Sequence, residues 1–376
     1  MTASGFKLSS VQAFCFRYPL TTPVVTSFGR MTDRPAVFVR AEDADGHVGW
    51  GEVWCNFPST GAEHRTRIVN EILAPMLTGA SFDTPQEAFA QLSARTSVLA
   101  LQSGEPGPFA QSIAGIDLAL WDLAARRARL PLWRMLGGDS PTIKVYASGI
   151  NPSGTRAMAD AALRRGHTAL KLKIGFDRAV DRDNLAALRD LVGIDGVLAA
   201  DANQAWGIED ALARGREIEE FSLAWLEEPI RADRPWAEWQ RLRAGIAIPL
   251  AAGENIAHAD GFAQALADDV LAVVQPDIAK WGGLSACAHI ARAVRAGGKT
   301  FCPHYLGGGI GLLGSAHLLA GVGGDGMLEV DCNANPLRDD FSGPVADVTD
   351  GTITLTDDPG LGIEPDLAAI RHYRTL

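Results

Sequence analysis

Seven ionisable residues recur in the second half of this 376-residue chain at intervals of about one strand-plus-helix unit. They are Lys173, Asp201, Glu227, Glu254, Asp277, His304 and Glu329, and consecutive members differ in residue number by 28, 26, 27, 23, 27 and 25. Each ends or follows a short apolar segment typical of a buried strand. A buried charge is destabilising unless it is paired or binds a metal. The regular spacing therefore indicates one shared site.

Three of these residues, Asp201, Glu227 and Glu254, are carboxylates on three successive predicted strands, with no cysteine or histidine among them. Ligation by oxygen alone suits a hard divalent cation, so we predict one Mg²⁺ held by one oxygen from each side chain. Three polar residues lie within two positions of these ligands and are candidates to orient them: Asn203, Glu228 and Asn255.

Two lysines in the segment ALKLKIG are candidates for acid/base chemistry. Lys171 and Lys173 are two residues apart, so on a strand they face the same side. We expect both ammonium groups to point into the same site and to lower each other's pKa, which would let one lysine act as a neutral base near pH 7. The alternative, a surface strand with its lysines turned outward, needs a solvent-exposed face.

His304 and Asp277 are candidates for a second acid/base group. They follow neighbouring predicted strands, and a carboxylate bonded to one imidazole nitrogen raises the basicity of the other. Glu329 is a candidate to bond a substrate oxygen or the second lysine. No Gly-x-Ser-x-Gly nucleophile elbow and no His-x-His pair occurs in the sequence.

Eight short apolar segments, separated by helical stretches, are available to position these groups. They are KVYAS, ALKLKI, GVLAAD, LAWLEE, IPLAAGE, LAVVQPD, TFCPH and MLEV. Strands that alternate with helices form parallel βαβ units, and eight of them predict an α/β fold with a closed barrel. Reactive groups in such barrels lie at the carboxyl ends of the strands. No helical stretch of the usual kind follows the eighth strand.

The flanking regions differ from the barrel pattern. The first 55 residues predict an antiparallel meander with a turn at Asp45-Gly46, and helices are predicted over 61–78, 84–95 and 108–128. The segment GTITLTDDPGLGIEPD returns to strand and turn character, and we expect it to pack on the meander. We predict an N-terminal α+β capping domain at 1–135, a catalytic barrel at 136–340, and a C-terminal segment at 341–376 that completes the cap.

Composition narrows the class of partner. The net charge is −11 and there is no lysine/arginine block, which disfavours nucleic acid and anionic membranes and leaves a small molecule as the expected partner. Five scattered cysteines without a Cys-x-x-Cys pair favour a reducing compartment. The N-terminal MTASGFKLSS has no cationic segment followed by an apolar one. We therefore expect a cytoplasmic protein.

Two features favour other classes of protein. The stretch from Phe301 to Gly324 lacks charged residues and is long enough to span a bilayer, but eight glycines and Pro303 disfavour a membrane helix. The segment GIGLLG, Gly309 to Gly314, matches the Gly-x-Gly-x-x-Gly dinucleotide fingerprint. It falls in the last βα unit and does not directly follow its strand, so close approach of the backbone to the substrate or to a lid is the favoured interpretation.

Taken together, Lys-x-Lys, DANQAW, WLEEPI, AAGENI, QPDIAKWGG and PHY resemble the enolase superfamily, mandelate racemase subgroup, over essentially the whole chain. The resemblance implies a (β/α)₇β barrel with a capping domain and Mg²⁺ on Asp201, Glu227 and Glu254. It also implies Lys173, with Lys171 beside it, and the His304–Asp277 dyad as the two acid/base groups, and an electrophilic role for Glu329. A homo-oligomer with an even number of subunits is expected on the same ground.

The expected activity is removal of the proton next to a carboxylate through an enediolate, most simply in dehydration of an acid sugar. Racemisation and lactone cycloisomerisation are alternatives on the same site. The runs EVDCNANPLRDD and PHYLGGG resemble acid-sugar members, including galactarolactone cycloisomerase-like proteins. A Schiff-base aldolase and a non-catalytic sugar-acid binder are the alternatives outside the family. Four residues in two cap loops, 26–31 and 54–59, are candidates for substrate selection: Phe28, Arg30, Trp54 and Phe57.

Overall fold

The N-terminal part of the chain folds as an antiparallel sheet covered by helices. This computed structural model describes residues 5–25 and 29–376. The cap strands are β1 (Phe6–Val25), β2 (Arg30–Asp43), β3 (Val48–Val53) and β4 (Ser81–Phe82), in the order β3-β2-β1-β4. The helices are α1 (Gly61–Arg67), a π-helical segment (Ile68–Leu73), α2 (Ala74–Leu77), α3 (Pro85–Ser103), α4 (Pro106–Ala128) and α5 (Leu132–Met135). The predicted meander is confirmed.

Helix α3 runs eight residues beyond the predicted end at residue 95. Its last two turns expose apolar side chains, with Val98 at 73% and Leu101 at 80% exposure, so this segment lacks the one-sided apolar pattern used to recognise a surface helix. The helix ends at Gly104, whose φ of 71° is the left-handed conformation that commonly terminates helices.

The middle of the chain forms a nearly closed parallel barrel. Its strands are β5 (Thr142–Ile150), β6 (Ala169–Lys173), β7 (Val197–Asp201), β8 (Leu226–Glu227), β9 (Leu250–Ala252), β10 (Val273–Val274), β11 (Thr300–Phe301) and β12 (Met327–Asp331). The ladders run from β11 through β5 to β12 in the order β11-β10-β9-β8-β7-β6-β5-β12. Where β11 and β12 meet, the Met327 amide donates to Cys302 Sγ at 3.3 Å. The predicted eight-strand barrel is confirmed.

Seven helices connect the barrel strands. They are α6 (Thr155–Arg164), α7 (Arg178–Val192), α8 (Ile208–Ile218), α9 (Trp236–Gly245), α10 (His258–Ala267), α11 (Gly283–Ala296) and α12 (Gly309–Val322). After β12 there is a single turn, α13 (Pro336–Asp339), which replaces an eighth barrel helix. Among the described residues no helix is long and apolar enough to cross a membrane. The uncharged stretch from Phe301 instead contains the end of β11 and the fourteen-residue helix α12.

The C-terminal segment contacts both parts of the molecule. Its strand β13 (Thr352–Thr354) pairs antiparallel with barrel strand β5, so the expected packing of this strand on the meander is wrong. Further along, the Leu361 amide donates to Asp122 Oδ1 of α4 at 2.7 Å, and Arg374 forms a bridge with Phe16 of β1. The segment thus pairs first with the barrel and then returns to the cap.

Buried polar contacts fix the cap on the carboxyl end of the barrel. Asp117 of α4 accepts hydrogen bonds from the Ser285 amide at 2.9 Å and from its hydroxyl at 2.6 Å, at the start of α11. Arg34 of β2, 1% exposed, forms an ion pair with Asp331 at the end of β12. These contacts hold cap side chains over the strand ends where the predicted site lies.

We expect Arg34→Met to lower the free energy of unfolding by about 3–5 kcal/mol, because it leaves the buried carboxylate of Asp331 with one fewer cationic partner. Urea unfolding followed by circular dichroism measures this change. Arg40→Met is a matched control, since Arg40 pairs with Glu42 at the surface of the same strand. Equal stability of the two variants would contradict a role for the buried pair in holding the cap.

Candidate active site

The predicted site residues converge at the mouth of the barrel. Strands β6, β7 and β8 end at Lys173, Asp201 and Glu227, and the ladder places Lys173 beside Asp201 and Asp201 beside Glu227. The remaining four are Glu254, Asp277 and His304, which follow β9, β10 and β11, and Glu329, which lies within β12. Each of the seven takes part in an ion pair described below, and their side chains are buried or half-buried. The parallel register therefore brings together residues that are up to 156 positions apart in number, from 173 to 329.

Each of the three candidate ligands bonds to a different lysine. Lys171 Nζ lies 2.6 Å from Glu227 Oε2, and Lys173 Nζ lies 2.6 Å from Asp201 Oδ2. The third cation is Lys280, whose Nζ lies 3.1 Å from Glu254 Oε2. Positive groups thus already occupy positions against all three carboxylates, which is how a strongly negative cluster is compensated inside a protein.

This donor set fits a divalent cation. It consists of three carboxylates without a thiol among them, and hard cations such as Mg²⁺ prefer oxygen ligands of this kind. In this lysine-paired arrangement, the carboxylate oxygens of Asp201, Glu227 and Glu254 do not all lie within 4.8 Å of one another. Among residues 5–25 and 29–376, that spacing is found for Asp43, Asp45 and His47. Those three lie at the β2–β3 turn in the cap, where Arg127 bonds to both aspartates.

The charge state of the lysines differs from the expected one. Burial opposes the charge on Lys173, but the charge of Asp201, its hydrogen bond and the charge of Glu227 together outweigh burial and Lys171, and the pKa of Lys173 is raised. Burial also opposes the charge on Lys171, and Glu227 and Glu329 together raise its pKa well above the usual value. Lys171 does lower the pKa of Lys173, as predicted, but the prediction that this leaves a neutral lysine near pH 7 is wrong for this arrangement, because each lysine is nearer to a carboxylate than the argument assumed. Their inward orientation is as predicted.

The histidine and aspartate predicted as a dyad are in contact. His304 Nδ1 lies 2.8 Å from Asp277 Oδ2, and its Nε2 lies 3.2 Å from Glu254 Oε2 and 3.8 Å from Glu329 Oε2. Burial disfavours the imidazolium, but Glu254 and Glu329, with Asp277, raise the pKa of His304 to about 10. The ring therefore carries a proton at neutral pH in this arrangement, as a general acid must.

Glu329 lies between the lysine side and the histidine side of the site. Its Oε1 is 2.8 Å from Lys171 Nζ and accepts a hydrogen bond from the Ser148 hydroxyl at 2.5 Å, while its Oε2 accepts from the Tyr305 amide at 3.1 Å. Burial opposes ionisation, but Lys171 and His304 outweigh it and lower the pKa of Glu329 to about 2. It is held as a carboxylate by groups from both sides of the mouth.

The three residues predicted to orient the ligands lie against them or against each other. Asn203 donates its amide to Asp201 Oδ2 at 3.0 Å and accepts from Lys173 Nζ at 2.9 Å. Asn255 donates to both oxygens of Glu228, at 3.0 and 2.9 Å. Burial, together with Glu254, raises the pKa of Glu228 well above its usual value. Burial thus disfavours a negative charge on Glu228.

The backbone next to the candidate ligands is held in an unusual conformation. Asn203, Gln204 and Glu228 have φ values of 43°, 63° and 39°, in the left-handed region that residues with side chains rarely adopt. Such conformations persist where surrounding contacts over-determine them, and they cluster at functional sites. Gly253, with φ of 156°, precedes Glu254 where a Cβ would overlap the backbone of Gln275. The chain therefore turns sharply just after two of the ligands and just before the third.

Sequence analysis did not single out several side chains of the site. Lys280 also bonds to Asn255 Oδ1 at 2.7 Å, and Gln275 donates to Glu227 Oε2 at 2.7 Å. The ring of Tyr146 lies 5.4 Å from Lys171 Nζ. Gln275 and Lys280 belong to the segment QPDIAKWGG, which was recognised for its aspartate alone. Tyr146 and Ser148 do not belong to the recurring series of ionisable residues. Only their position on β5, beside β6 and β12, could have indicated that they lie at the site.

The four residues predicted to contact the substrate differ in where they lie. Phe28 lies outside the described residues. Arg30 is exposed at the start of β2. The ring of Trp54 lies 4.8 Å from Lys280 Nζ, which places it at the mouth. The ring of Phe57 lies close to Gly29, where a Cβ would be 2.8 Å from it, so the two cap loops contact each other.

Comparison with known proteins places this geometry in a family. Residues 9–137 match the family model described as the mandelate racemase / muconate lactonizing enzyme N-terminal domain, and residues 154–369 match that of the enolase C-terminal domain-like family. A solved structure described as a mandelate racemase/muconate lactonizing enzyme from Bordetella bronchiseptica RB50 is 53% identical, with a TM-score of 0.94. That match covers 98% of this chain and 100% of the other.

Two further relatives have named activities. The D-galactarolactone cycloisomerase of Agrobacterium fabrum is 29% identical over 98% of this chain and 99% of its own length. The L-talarate/galactarate dehydratase of Salmonella typhimurium LT2, solved with Mg and L-lyxarohydroxamate, is 25% identical with a TM-score of 0.85. The match covers 99% of this chain and 94% of the dehydratase chain. The resemblance noted from the motifs is thereby confirmed: the chain belongs to the enolase superfamily, in its mandelate racemase subgroup, and is a hydro-lyase or isomerase of that superfamily.

Proposed function

We propose that the protein catalyses the Mg²⁺-dependent dehydration of an acid sugar, an aldonate or aldarate, to a 2-keto-3-deoxy acid. The observation that carries this proposal is the placement of Lys173 and of His304, which is bonded to Asp277, at one carboxylate-rich site. Lys173 enters from β6 and His304 follows β11, so they approach the site from different sides of the mouth. Dehydration needs both a base for the α-proton and an acid for the leaving hydroxyl.

The substrate carboxylate would be bound by the residues between these two groups. Three ligand carboxylates and one divalent cation together leave one net negative charge, which repels an anionic substrate. Lys171, fully buried beside Glu227 and Glu329, supplies a positive charge that offsets this repulsion. Mg²⁺ on Asp201, Glu227 and Glu254, one per subunit, would stabilise the charge that develops on the substrate carboxylate and compete with the lysines for their carboxylate partners.

The chain's own residues then move the protons. Lys173, which must first be freed from its pairing with Asp201 and lose its own proton, then accepts the proton from the carbon next to the carboxylate, which leaves an enediolate. His304 donates its Nε2 proton to the hydroxyl on the neighbouring carbon, which departs as water, and Asp277 holds the ring through Nδ1. The resulting enol tautomerises to the 2-keto-3-deoxy acid. One proton and one hydroxide are lost from the substrate, so the balance is that of a dehydration.

Cycloisomerisation of a sugar lactone is the second candidate, favoured by the similarity to the galactarolactone cycloisomerase over nearly the full chain. There the same proton removal would be followed by expulsion of the ring oxygen, which stays attached to the product. Mass is conserved in that reaction, whereas dehydration releases water.

A product screen separates these reactions. Aldonic acids, aldaric acids and their lactones are each incubated with the protein and Mg²⁺ in D₂O and followed by proton NMR. We expect a 2-keto-3-deoxy acid from at least one acid sugar. A ring-opened product of unchanged mass would favour the cycloisomerase, and inversion of the α-carbon alone would favour a racemase. If no substrate gave product or incorporated deuterium, the proposal would be wrong.

A further inference from the structure

The glycine-rich start of helix α12 binds a carboxylate from the cap. Glu52 of β3 is 1% exposed, and it accepts hydrogen bonds from the Gly308 amide and, at 2.8 Å, from the Gly311 amide. The first amides of a helix have no partner within the helix and carry partial positive charge, so they favour an anion. The segment that resembles a dinucleotide fingerprint therefore holds a carboxyl group that belongs to the protein itself, and burial raises the pKa of this group to about 7.

Glycine at this position allows that close approach. The φ of Gly308 is −83°, which any residue can adopt, so the backbone conformation does not require glycine. A Cβ there would, however, lie 2.7 Å from Glu52 Oε1 and 2.9 Å from the ring of Phe38. At Gly311 a Cβ would overlap the side chain of Tyr305. These glycines make room for the Glu52 carboxylate and for the tyrosine that follows His304.

The segment between His304 and α12 is held at every residue. The Tyr305 amide donates to Glu329, the Leu306 carbonyl accepts from Asn56 Nδ2 at 2.7 Å, and the Gly307 carbonyl accepts from Asn335 Nδ2 at 2.9 Å. Glu52 then binds the Gly308 amide. Two of these four partners, Glu52 and Asn56, belong to the cap. The position of His304 along this segment thus depends on side chains delivered by the cap.

The lysine side of the site is anchored differently. Lys173 lies on β6 within the barrel ladder, and its partners Asp201 and Asn203 both belong to the barrel. Loss of the Glu52 contact would displace Gly308, which is only four residues from His304 along the chain. Lys173 has no comparably short connection to Glu52. The two acid/base groups are therefore separable by a change in the cap.

We propose that Glu52 is a positioning residue that sets the place of His304, so that the cap controls proton donation on the histidine side of the site and not proton removal on the lysine side. This rests on the proposed function, because it assigns separate steps to the two groups. A misplacement of about 1 Å lowers a catalysed rate by roughly 100-fold, so a loosened segment has a large effect.

Two variants test the contact from its two sides, and neither changes a group that touches the substrate. Glu52→Gln keeps the size of the side chain and turns an amide group toward one of the two backbone donors. Gly308→Ala adds a methyl group against Glu52 Oε1. It provides the test of the contact if Glu52→Gln does not fold. Glu42→Gln is the matched control, since Glu42 lies in the same cap sheet and pairs with Arg40 near the surface.

The first measurement needs no substrate. Hydrogen–deuterium exchange followed by mass spectrometry should show about tenfold faster exchange of residues 303–311 in both variants, with residues 169–174 and the control variant unchanged. The ring ¹⁵N shifts of His304 should move in the same two variants. Unchanged exchange and unchanged shifts would overturn the proposal even if the proposed function were correct. Changed exchange and shifts would support it even if no acid sugar were turned over.

The second measurement uses a substrate from the product screen. In both variants we expect kcat for water loss to fall by about 10–100-fold with KM within about twofold, while exchange of the α-proton with D₂O stays within about twofold of wild type. An equal fall in both steps would indicate a merely structural role and overturn the proposal, as would no fall in either.

Discussion

Replacing Lys173 with methionine is expected to lower the rate of α-proton exchange in D₂O by about 10³-fold, within the range that a positioned general base contributes. The physical reason is that methionine fills the same space but cannot accept a proton at the place where Lys173 Nζ lies between Asp201 and Asn203. Exchange is measured by proton NMR with a substrate from the screen, and the dehydration rate should fall with it.

Lys144→Met is the matched control, because Lys144 lies at the amino end of β5, with its side chain 59% exposed. It should retain wild-type exchange. Exchange at the wild-type rate in Lys173→Met would show that another group removes the proton. Borohydride treatment of the wild-type protein together with substrate gives a second check. Covalent labelling of Lys173 would instead support a Schiff-base aldolase.

Asp201→Asn and removal of the metal are expected to have an equally large effect. Loss of several kcal/mol of charge stabilisation corresponds to roughly 10³-fold in rate, so treatment with EDTA should abolish turnover and added Mg²⁺ should restore it. In Asp201→Asn, Mg²⁺ should not restore turnover, because the side chain no longer carries the charge that binds the cation. Lys173 keeps Asn203 as a partner in this variant, so the fold should persist.

Asp195→Asn provides the comparison, since Asp195 is an exposed carboxylate in the loop before the same strand. Isothermal titration with Mg²⁺ should give the wild-type affinity for this control and an affinity lower by at least about 100-fold for Asp201→Asn. Turnover of the wild-type protein in excess EDTA would contradict the assignment of a metal to the barrel mouth.

The barrel and the identity of the site residues could be predicted because they depend on order along the chain. One ionisable residue per βα unit, from Lys173 to Glu329, suffices to place all of them at one rim once the strands are parallel. The lengths of the strands could not be predicted in the same way. Strands β8, β10 and β11 have only two residues each, whereas the apolar segments that predicted them are longer.

Contacts between residues distant in sequence explain what the prediction missed. The pKa values of Lys171 and Lys173 are set by Asp201, Glu227 and Glu329, whose distances no local pattern reveals. Lys280 lies in the turn that precedes α11, and only its distance of 3.1 Å from Glu254 identifies it as part of the site. The pairing of β13 with β5 was missed because turn-rich composition shows where strand character returns but not which strand it pairs with.

The role of the glycine-rich segment was the hardest feature to predict from the sequence. Glu52 and Gly308 are 256 residues apart, and their contact exists only because the cap is seated on the barrel. The glycines of Gly-x-Gly-x-x-Gly were predicted to bring the backbone close to the substrate or to a lid, whereas the structure places Gly311 against Tyr305 and within hydrogen-bonding distance of Glu52. Glu52 is a side chain of the cap.

Anomalous diffraction from crystals soaked in Mn²⁺, as a stand-in for Mg²⁺, tests the central claim most directly. We predict one strong peak per chain at the barrel mouth, within about 2.0–2.6 Å of oxygens from Asp201, Glu227 and Glu254, with the lysine ammonium groups displaced from at least two of them. A peak confined to Asp43, Asp45 and His47, or a mouth in which the three carboxylates stay paired with their lysines and no peak is found, would contradict it.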